Sequence, residues 1–403
     1  MWTDTRPTVE MPQLFELAGD VISFAGGLPD LRQLPLGDIS AQLARVVRLG
    51  GRTTLQYSTP HVATSLIPGI EDLMAREQIR GTTAEQLVPT TGSQMGLVTV
   101  ALALASPGEV VLCQTPAYPG ATAAFRAAGL DLHPVEGDEQ GMHPQALREA
   151  ARQVRAAGRT TRLLYGNLTF ANPTGTTAGV HRRTELLQVC RELDLLLVED
   201  NPYGLLSFEG TTTPACRSLD PDQVVYLGTF SKIFAPGVRC GWIAAPAHLT
   251  GRLRRTAEIL ALSPSALNQA ALAAFFAQQG WDNLINSFQD GYRRRCALMT
   301  EALEQALGAD GRWTWNQPEG GFYLWLRHRD GQDTETFVEE ASRHGVSFVP
   351  GRHFSIGREH AHGLRLSFSY TPPGRIAEGV DRLARALTGA QGPQRARLEQ
   401  VVA

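Results

Sequence analysis

The sequence predicts an α/β fold, a mostly parallel sheet covered on both faces by helices and followed by a smaller α+β region. Three observations carry this. From about residue 85 to residue 245, short β-branched apolar runs alternate with amphipathic helical patterns. Those runs are continuous rather than alternating, as strands covered on both faces require. Beyond residue 261 the pattern changes to long helices and then to two isolated strand-like runs.

The elements follow in order. Residues 109–113, Glu-Val-Val-Leu-Cys, read as a buried strand. The spacing predicts a helix over 143–158: Pro144 suits its first turn, Leu147, Ala151 and Val154 recur on one face, and Gly158 can end it. A strand is expected over 162–165. A second helix is expected over 184–193, where Leu186, Leu187, Val189, Cys190 and Leu193 are apolar. Strands are then expected over 195–198, 223–227 and 241–245. Helices dominate 265–307, and strands over 321–326 and 364–368 form an antiparallel-looking part. The expected organisation is an N-terminal arm over 1–45, a large domain over 46–265, a small domain over 266–388 and a frayed tail over 389–403.

Composition narrows the function. The chain has 403 residues and a formal charge of −3, with 43% apolar and 19% charged residues, which is ordinary for a globular protein. A balance so close to neutral removes the electrostatic basis for broad nucleic-acid or anionic-membrane binding. The N-terminus has no basic stretch followed by an apolar run, so no signal peptide is expected. The longest apolar stretch, near residues 97–105, is about half of a bilayer span. Five widely spaced cysteines (Cys113, Cys190, Cys216, Cys240 and Cys296) read as reduced core residues of a cytoplasmic protein. Of the 37 basic residues, 36 are arginine and one is lysine, Lys232. Chemistry that needs a side-chain amine therefore has one residue to draw on.

Lys232 lies in Gly228-Thr-Phe-Ser-Lys-Ile-Phe-Ala-Pro-Gly-Val-Arg-Cys-Gly241, a loop of small and hydroxyl residues after a strand. A desolvated lysine near other cations loses pKa and becomes an amine that can form a Schiff base. Arginine cannot substitute, because its guanidinium stays protonated. The alternative is a compositional accident of a GC-rich genome. Asp200 ends the run Leu195-Leu-Leu-Val-Glu-Asp, at the carboxyl end of a strand, where open α/β sheets bind ligands. Burying it needs a partner such as a protonated heterocyclic nitrogen; otherwise it caps Asn201-Pro202. Thr91-Gly-Ser-Gln94 precedes an apolar helix, a place that suits phosphate, although Ser93 could serve only as an N-cap. Tyr118 could stack on a flat ring or simply pack. Asn172-Pro-Thr-Gly175 is a turn by composition. Arg365, in a strand, could grip a carboxylate, although it is one of 36 arginines.

Taken together and in order, these segments resemble the fold-type-I pyridoxal-phosphate enzymes of the class I/II aminotransferase family, near its α-aminoadipate and aromatic-amino-acid branch. The matching pieces are Ser23-Phe-Ala-Gly-Gly-Leu-Pro29, Gln56-Tyr57, Thr91-Gly-Ser-Gln94, Tyr118, Asn172-Pro-Thr-Gly175, Asp200-Asn-Pro-Tyr203, Thr229-Phe-Ser-Lys232, Arg239, Gly320-Gly-Phe-Tyr323 and Arg365-Leu-Ser-Phe368. The resemblance implies a seven-stranded-type sheet and pyridoxal 5′-phosphate as cofactor. It implies that Lys232 holds the cofactor as a Schiff base and shuttles the substrate proton. By the same resemblance Asp200 would keep the pyridine nitrogen protonated, and Tyr118 would stack on the ring. Asn172 and Tyr203 would bond the phenolic oxygen. Ser93, Gln94, Thr229, Ser231 and Arg239 would surround the phosphate, with Tyr57 reaching over from a partner subunit of a homodimer. Arg365 would bind the substrate α-carboxylate, with Asn172 and Gly27 beside it. The substrates implied are an α-amino acid and a 2-oxo acid.

Two segments depart from the family pattern. The stretch before the asparagine is Tyr165-Gly-Asn-Leu-Thr-Phe-Ala-Asn172 and lacks the usual proline and glutamine. The stretch after Tyr57, over 58–69, lacks the usual glycine-bearing lead into Leu-Arg. Both are expected to face the substrate, and they leave the recognised side chain open. A second outcome therefore stands beside transamination: elimination, replacement or decarboxylation of a specialised amino acid. A related transcription regulator would carry a DNA-binding domain before the Ser23 motif, where only about 20 residues stand. Arg32 or Gln33 could contribute to substrate recognition, with plain surface exposure as the alternative. Trp315 and Trp325 are expected in the core.

Overall fold

The computed structural model describes residues 20–58 and 65–389. The first part of the expected N-terminal arm (1–19), residues 59–64 of the departing stretch and the tail over 390–403 lie outside the described residues. In chain order the strands are β1 (Ile22–Ser23), β2 (Leu87–Thr90), β3 (Val110–Gln114), β4 (Asp131–Val135), β5 (Gly137–Asp138), β6 (Gly141–Met142), β7 (Thr161–Gly166), β8 (Leu196–Asp200), β9 (Val224–Thr229), β10 (Gly241–Ala244), β11 (Trp313–Trp315), β12 (Tyr323–His328), β13 (Val346–Ser347), β14 (Val349–Pro350) and β15 (Gly363–Ser367).

Seven strands form one sheet in the order β2-β10-β9-β8-β7-β3-β4. The neighbours β9, β8, β7, β3 and β4 are parallel, and β10 runs antiparallel to both β9 and β2. The two edge strands are the ones the apolar pattern does not reveal. Pro89 in β2 and Pro134 in β4 interrupt it, and a sheet edge is where proline is tolerated. Side chains alternate between the faces with the two-residue period of a strand. Val111, Cys113, Leu163, Tyr165, Val198 and Leu227 pack on one side with Leu97, Phe125 and Leu253. Leu112, Leu164, Leu197 and Val224 pack on the other with Leu147, Val154, Leu186 and Cys190.

The helix expected over 143–158 spans Pro144–Ala156, with Leu147, Ala151 and Val154 buried and Gly158 at φ +70°. The helix expected over 184–193 spans Val180–Glu192. The later helices are Ala266–Gln279, Asp282–Leu307 and Pro373–Thr388. They pack with a four-stranded antiparallel sheet, β11-β12-β15-β14. The helix Leu36–Thr54 runs through residues 45 and 46, where the sequence places the junction of arm and large domain, and it packs on Ala266–Gln279. Trp325 is buried and Trp315 partly so. The five cysteines are buried and form no disulfide. Among the described residues no single helix is long and apolar enough to cross a membrane.

One buried ion pair ties the loop after β7 to β8. Arg183 and Glu199 are both inaccessible, with Nη1 and Oε1 2.9 Å apart. The remaining guanidinium donors reach the carbonyls of Ala178 and Leu168 and the hydroxyl of Thr169. Glu199 also accepts the backbone N–H groups of Cys216 and Arg217. A buried pair is tolerable when each nitrogen and each carboxylate oxygen has a partner in this way. Glu199→Ala strands the guanidinium, so urea unfolding is expected to show a loss of about 3–5 kcal/mol, whereas breaking an exposed pair such as Arg152–Glu149 should leave the urea midpoint nearly unchanged.

Candidate active site

The parallel strands β2, β3, β7, β8 and β9 all deliver their carboxyl ends to one edge of the sheet. The order in which the chain adds strands reverses between the parallel neighbours β7 and β3, which leaves a crevice at that edge. β2 leads to Ser93 at the start of the helix Ser93–Leu104, β3 to Tyr118, β7 to Asn167 and Asn172, β8 ends on Asp200, and β9 leads to Ser231 and Lys232. β12 and β15 of the smaller sheet close the opposite side with Tyr323 and Arg365. The result is a cavity of about 280 Å³.

Two opposite charges are brought into it. Asp200 is buried; its Oδ2 accepts from the Tyr165 hydroxyl at 3.0 Å, while the buried Oδ1 has no hydrogen-bond partner. Burial pushes its carboxyl up to about 6, against the opposing pull of the Tyr165 hydrogen bond and the Lys232 charge. Asp200 is thus no cap of the following turn but a half-satisfied carboxylate facing a cavity. Lys232 is half-buried, donates from Nζ to the Gly27 carbonyl at 2.9 Å and lies 5.6 Å from the Phe322 ring centroid. Burial lowers its ammonium to about 8, helped by the Arg365 and Arg239 guanidinium groups and opposed by Asp200.

The two ends of the cavity differ. At one, Gly92 caps the helix Ser93–Leu104 at φ +82°, so Ser93 is the first helical residue and not its N-cap. A Cβ on Gly92 would meet Arg239 Nη2 at 2.8 Å. Arg239 donates to the Thr91 carbonyl at 3.0 Å, and the Thr229 and Ser231 hydroxyls lie 3.0 Å apart. Unpaired helix N–H groups, hydroxyls and a guanidinium together suit a phosphate. At the other end Arg365 lies against the rings of Tyr323 and Phe354, 4.4 and 5.0 Å from their centroids. It donates to Asn172 Oδ1 at 2.8 Å and to the Ala25 carbonyl. Gln94 donates to the Gly120 carbonyl and accepts from the Tyr118 hydroxyl, which sets the Tyr118 ring at the mouth.

The cavity therefore gathers Gly27, Ser93, Gln94, Tyr118, Asn172, Asp200, Tyr203, Thr229, Ser231, Lys232, Arg239 and Arg365. Tyr57 is not among them: 69% exposed, it stands away from this chain's own cavity. Arg32 and Gln33 do not line it either; Arg32 is half-exposed and bonded to Asp30 and the Tyr370 carbonyl. The stretch 165–171, expected to face the substrate, is buried and mostly supports the site from behind. Phe170 packs on Gly320 and Gly321, and Asn167 bonds both the Asp200 carbonyl and the Asn172 N–H. Tyr165, Asn167 and Tyr323 stand in the quoted segments, but the sequence gives them no role of their own. Tyr323 could be found as the residue two before Trp325 on the strand facing Arg365, and Tyr165 from its place on the strand beside β8.

The single lysine makes the amine measurable. Acylation of Lys232 in cofactor-free protein, followed by peptide mass, is expected to have its pH midpoint near 8, and Asp200→Asn should lower it by removing the opposing negative charge. A midpoint near the ordinary lysine value of about 10.4 contradicts the placement of this amine.

Comparison with known proteins converges on one family. The model for "Aminotransferase class I and II" matches residues 20–383. The aromatic-amino-acid aminotransferase 1 of Thermococcus litoralis is 32% identical over 94% of this chain and 91% of its own length. The kynurenine aminotransferase of Pyrococcus horikoshii, solved with the pyridoxamine form of the cofactor, superposes with a TM-score of 0.86 at 30% identity over 92% of each chain. The α-aminoadipate aminotransferase of Thermus thermophilus, solved with N-(5′-phosphopyridoxyl)-L-leucine, also gives 0.86 at 30% identity, over 94% of this chain and 95% of that one. The chain belongs to the class I and II aminotransferases, enzymes of the fold-type-I architecture that act on amino acids through pyridoxal phosphate.

Proposed function

We propose that this aminotransferase takes its amino group from an α-amino acid with a large neutral side chain, apolar or aromatic, and passes it to a 2-oxo acid. The observation that carries this is the wall around Arg365. Leu28, Val349, Phe354 and Tyr323 line it, and the described cations of the cavity are Lys232, Arg239 and Arg365. Each of the three has another task, so a substrate side-chain carboxylate would stay unpaired in an apolar setting, at a cost of several kcal/mol.

The residues fit pyridoxal phosphate. The unpartnered Asp200 Oδ1 supplies the anion that a protonated pyridine nitrogen needs, and the Ser93 end supplies donors for the phosphate. When bound, the cofactor supplies an electron sink for a bond breaking at the substrate α-carbon. Lys232 Nζ is the amine that would hold the cofactor and, as a free amine, would carry the proton taken from the substrate α-carbon. Asn172 and Tyr203 would donate to the phenolic oxygen, and Tyr118 would pack against the ring. Arg365 binds the α-carboxylate and so orients the bond to be broken.

A homodimer completes the site in this reading, with Tyr57 entering the partner's cavity beside the phosphate. Its surroundings support that. Ser58 N–H donates to Ser263 Oγ, so Tyr57 neighbours Leu262. Leu55, Leu262 and Ile259 are large, apolar and highly exposed there, as at an interface awaiting its partner. The sheet of seven strands supports a large cofactor-holding domain in this reading, and the helices from residue 266 with the smaller sheet support a second one. Buried cysteines without disulfides support a cytoplasmic setting.

The loaded enzyme, given one amino acid and no 2-oxo acid, should release about one equivalent of 2-oxo acid per chain and then stop. Phenylalanine, tyrosine or leucine should exceed aspartate and glutamate at least about ten-fold in kcat/KM. Release of ammonia or carbon dioxide over many turnovers would replace transamination by elimination or decarboxylation. Arg365→Ala should raise KM more than about ten-fold, with the smaller loss in kcat.

A further inference from the structure

The hydroxyl of Tyr323 has no task in the scheme above, although it sits at the centre of the cavity. It lies 3.0 Å from the Tyr203 hydroxyl and 3.5 Å from Asn172 Nδ2. Space for it is kept by Gly27, where a Cβ would come within 2.0 Å of the Tyr323 oxygen. The ring carries the Arg365 guanidinium on its face and meets the Tyr203 ring edge-on, 5.6 Å between centroids. Both phenols are buried.

The direction of the protons can be derived. Arginine only donates, so the contact from Arg365 Nη1 makes the facing Asn172 atom the acceptor oxygen and turns the Asn172 NH₂ toward Tyr323. The Tyr323 oxygen then accepts from Asn172, and its own proton points on to the Tyr203 oxygen. Tyr203 has one proton, and with its oxygen already serving as acceptor that proton is left for the cavity. Burial and the neighbouring Tyr323 raise the Tyr203 phenol well above its usual range, so the proton is present at any working pH.

We infer that Tyr323 is a positioning residue: its hydroxyl relays a directed hydrogen-bond chain, Arg365 to Asn172 to Tyr323 to Tyr203, that aims the Tyr203 proton at the cofactor's phenolic oxygen. This rests on the assignment of Tyr203 to that oxygen. The chain also crosses the molecule. Arg365 and Tyr323 stand on paired strands of the smaller sheet, β15 and β12, whereas Tyr203 follows β8 of the larger one. Successive hydrogen bonds polarise one another, so the last donor is stronger than an isolated phenol. A strong donor holds the phenolic oxygen as an anion and draws charge from the nearby Lys232 nitrogen, which then gives up its proton at lower pH.

The test is a spectrophotometric pH titration of the bound cofactor's visible band. Tyr323→Phe keeps the ring beneath Arg365 and removes the relay. The midpoint should rise by roughly half a unit to one unit, the scale of one neutral hydrogen bond. Tyr203→Phe should raise it further, and the double variant should match Tyr203→Phe alone, because the relay acts only through Tyr203. A midpoint unchanged in Tyr323→Phe, or a double variant in which the two shifts add in full, overturns the relay while leaving the cofactor assignment standing. Wild-type protein that develops no visible band with added pyridoxal phosphate overturns the cofactor assignment and the relay with it.

Discussion

The constraint on which the site depends is the burial of a carboxylate at the end of β8. Two acids stand side by side there, and strand geometry sends them to opposite faces. Glu199 points to the side of Leu197 and is saturated by Arg183 and two backbone N–H groups. Asp200 points to the side of Val198 and receives one hydrogen bond, from Tyr165. The first acid is structural: it holds the helix Val180–Glu192 and the loop after β7 onto the sheet. The second is left incomplete, and an incomplete buried carboxylate is stable only while something cationic faces it. Without ligand the opposing charge is Lys232. A protonated ring nitrogen is the partner that would complete it.

The remaining geometry follows from holding that carboxylate opposite an amine. Parallel strands place five carboxyl ends on one edge, and so the five segments that follow them converge on the cavity beside Asp200. The smaller sheet adds what the edge cannot supply, a guanidinium presented between aromatic rings. Arg365 is reached from the larger sheet only through Asn172, which is itself fixed by Asn167, and Asn167 by Gln114 and the Asp200 carbonyl. The two halves of the site are therefore joined by hydrogen bonds between buried groups. Losing one member would leave another unsatisfied, so the network resists partial change.

Much of this was legible in the sequence, for identifiable reasons. Strands covered on both faces write themselves as continuous apolar runs, and β3, β7, β8, β9 and β10 stand out that way. Edge strands need not be apolar throughout and can hold proline, and so β2 and β4 do not. Motif order located Lys232, Asp200, Asn172 and Arg365: Asp200 ends β8, Arg365 is a charge inside β15, and Asn172 and Lys232 lie in the loops after β7 and β9. What the sequence hides are the residues that act through others. Asn167 and Phe170 lie in a stretch that looks like a substrate-facing loop, yet Phe170 turns inward at φ +47° against Gly320 and Gly321. Tyr323 closes the motif Gly320-Gly-Phe-Tyr323, but the motif gives its hydroxyl no partner. Only the fold shows that its hydroxyl meets Tyr203, 120 residues away. Tyr57 is the reverse case: its place in a motif is plain, and within one chain it points outward.

The composition acquires a physical meaning from the same geometry. Apart from a few histidine contacts, the ion pairs among the described residues are made by arginine. A guanidinium suits that work, since it spreads five donors over fixed directions, as buried Arg183 illustrates, and arginine as a residue type holds its charge. The same permanence disqualifies it as a nucleophile. An ammonium is the opposite: burial beside Arg365 and Arg239 brings Lys232 down to about 8, close enough to neutrality for a free amine to exist. A drift from lysine to arginine can therefore run through every structural ion pair of this fold without loss. It must stop at the one position where the charge has to be given up, and in this chain 36 arginines and a single lysine mark that boundary.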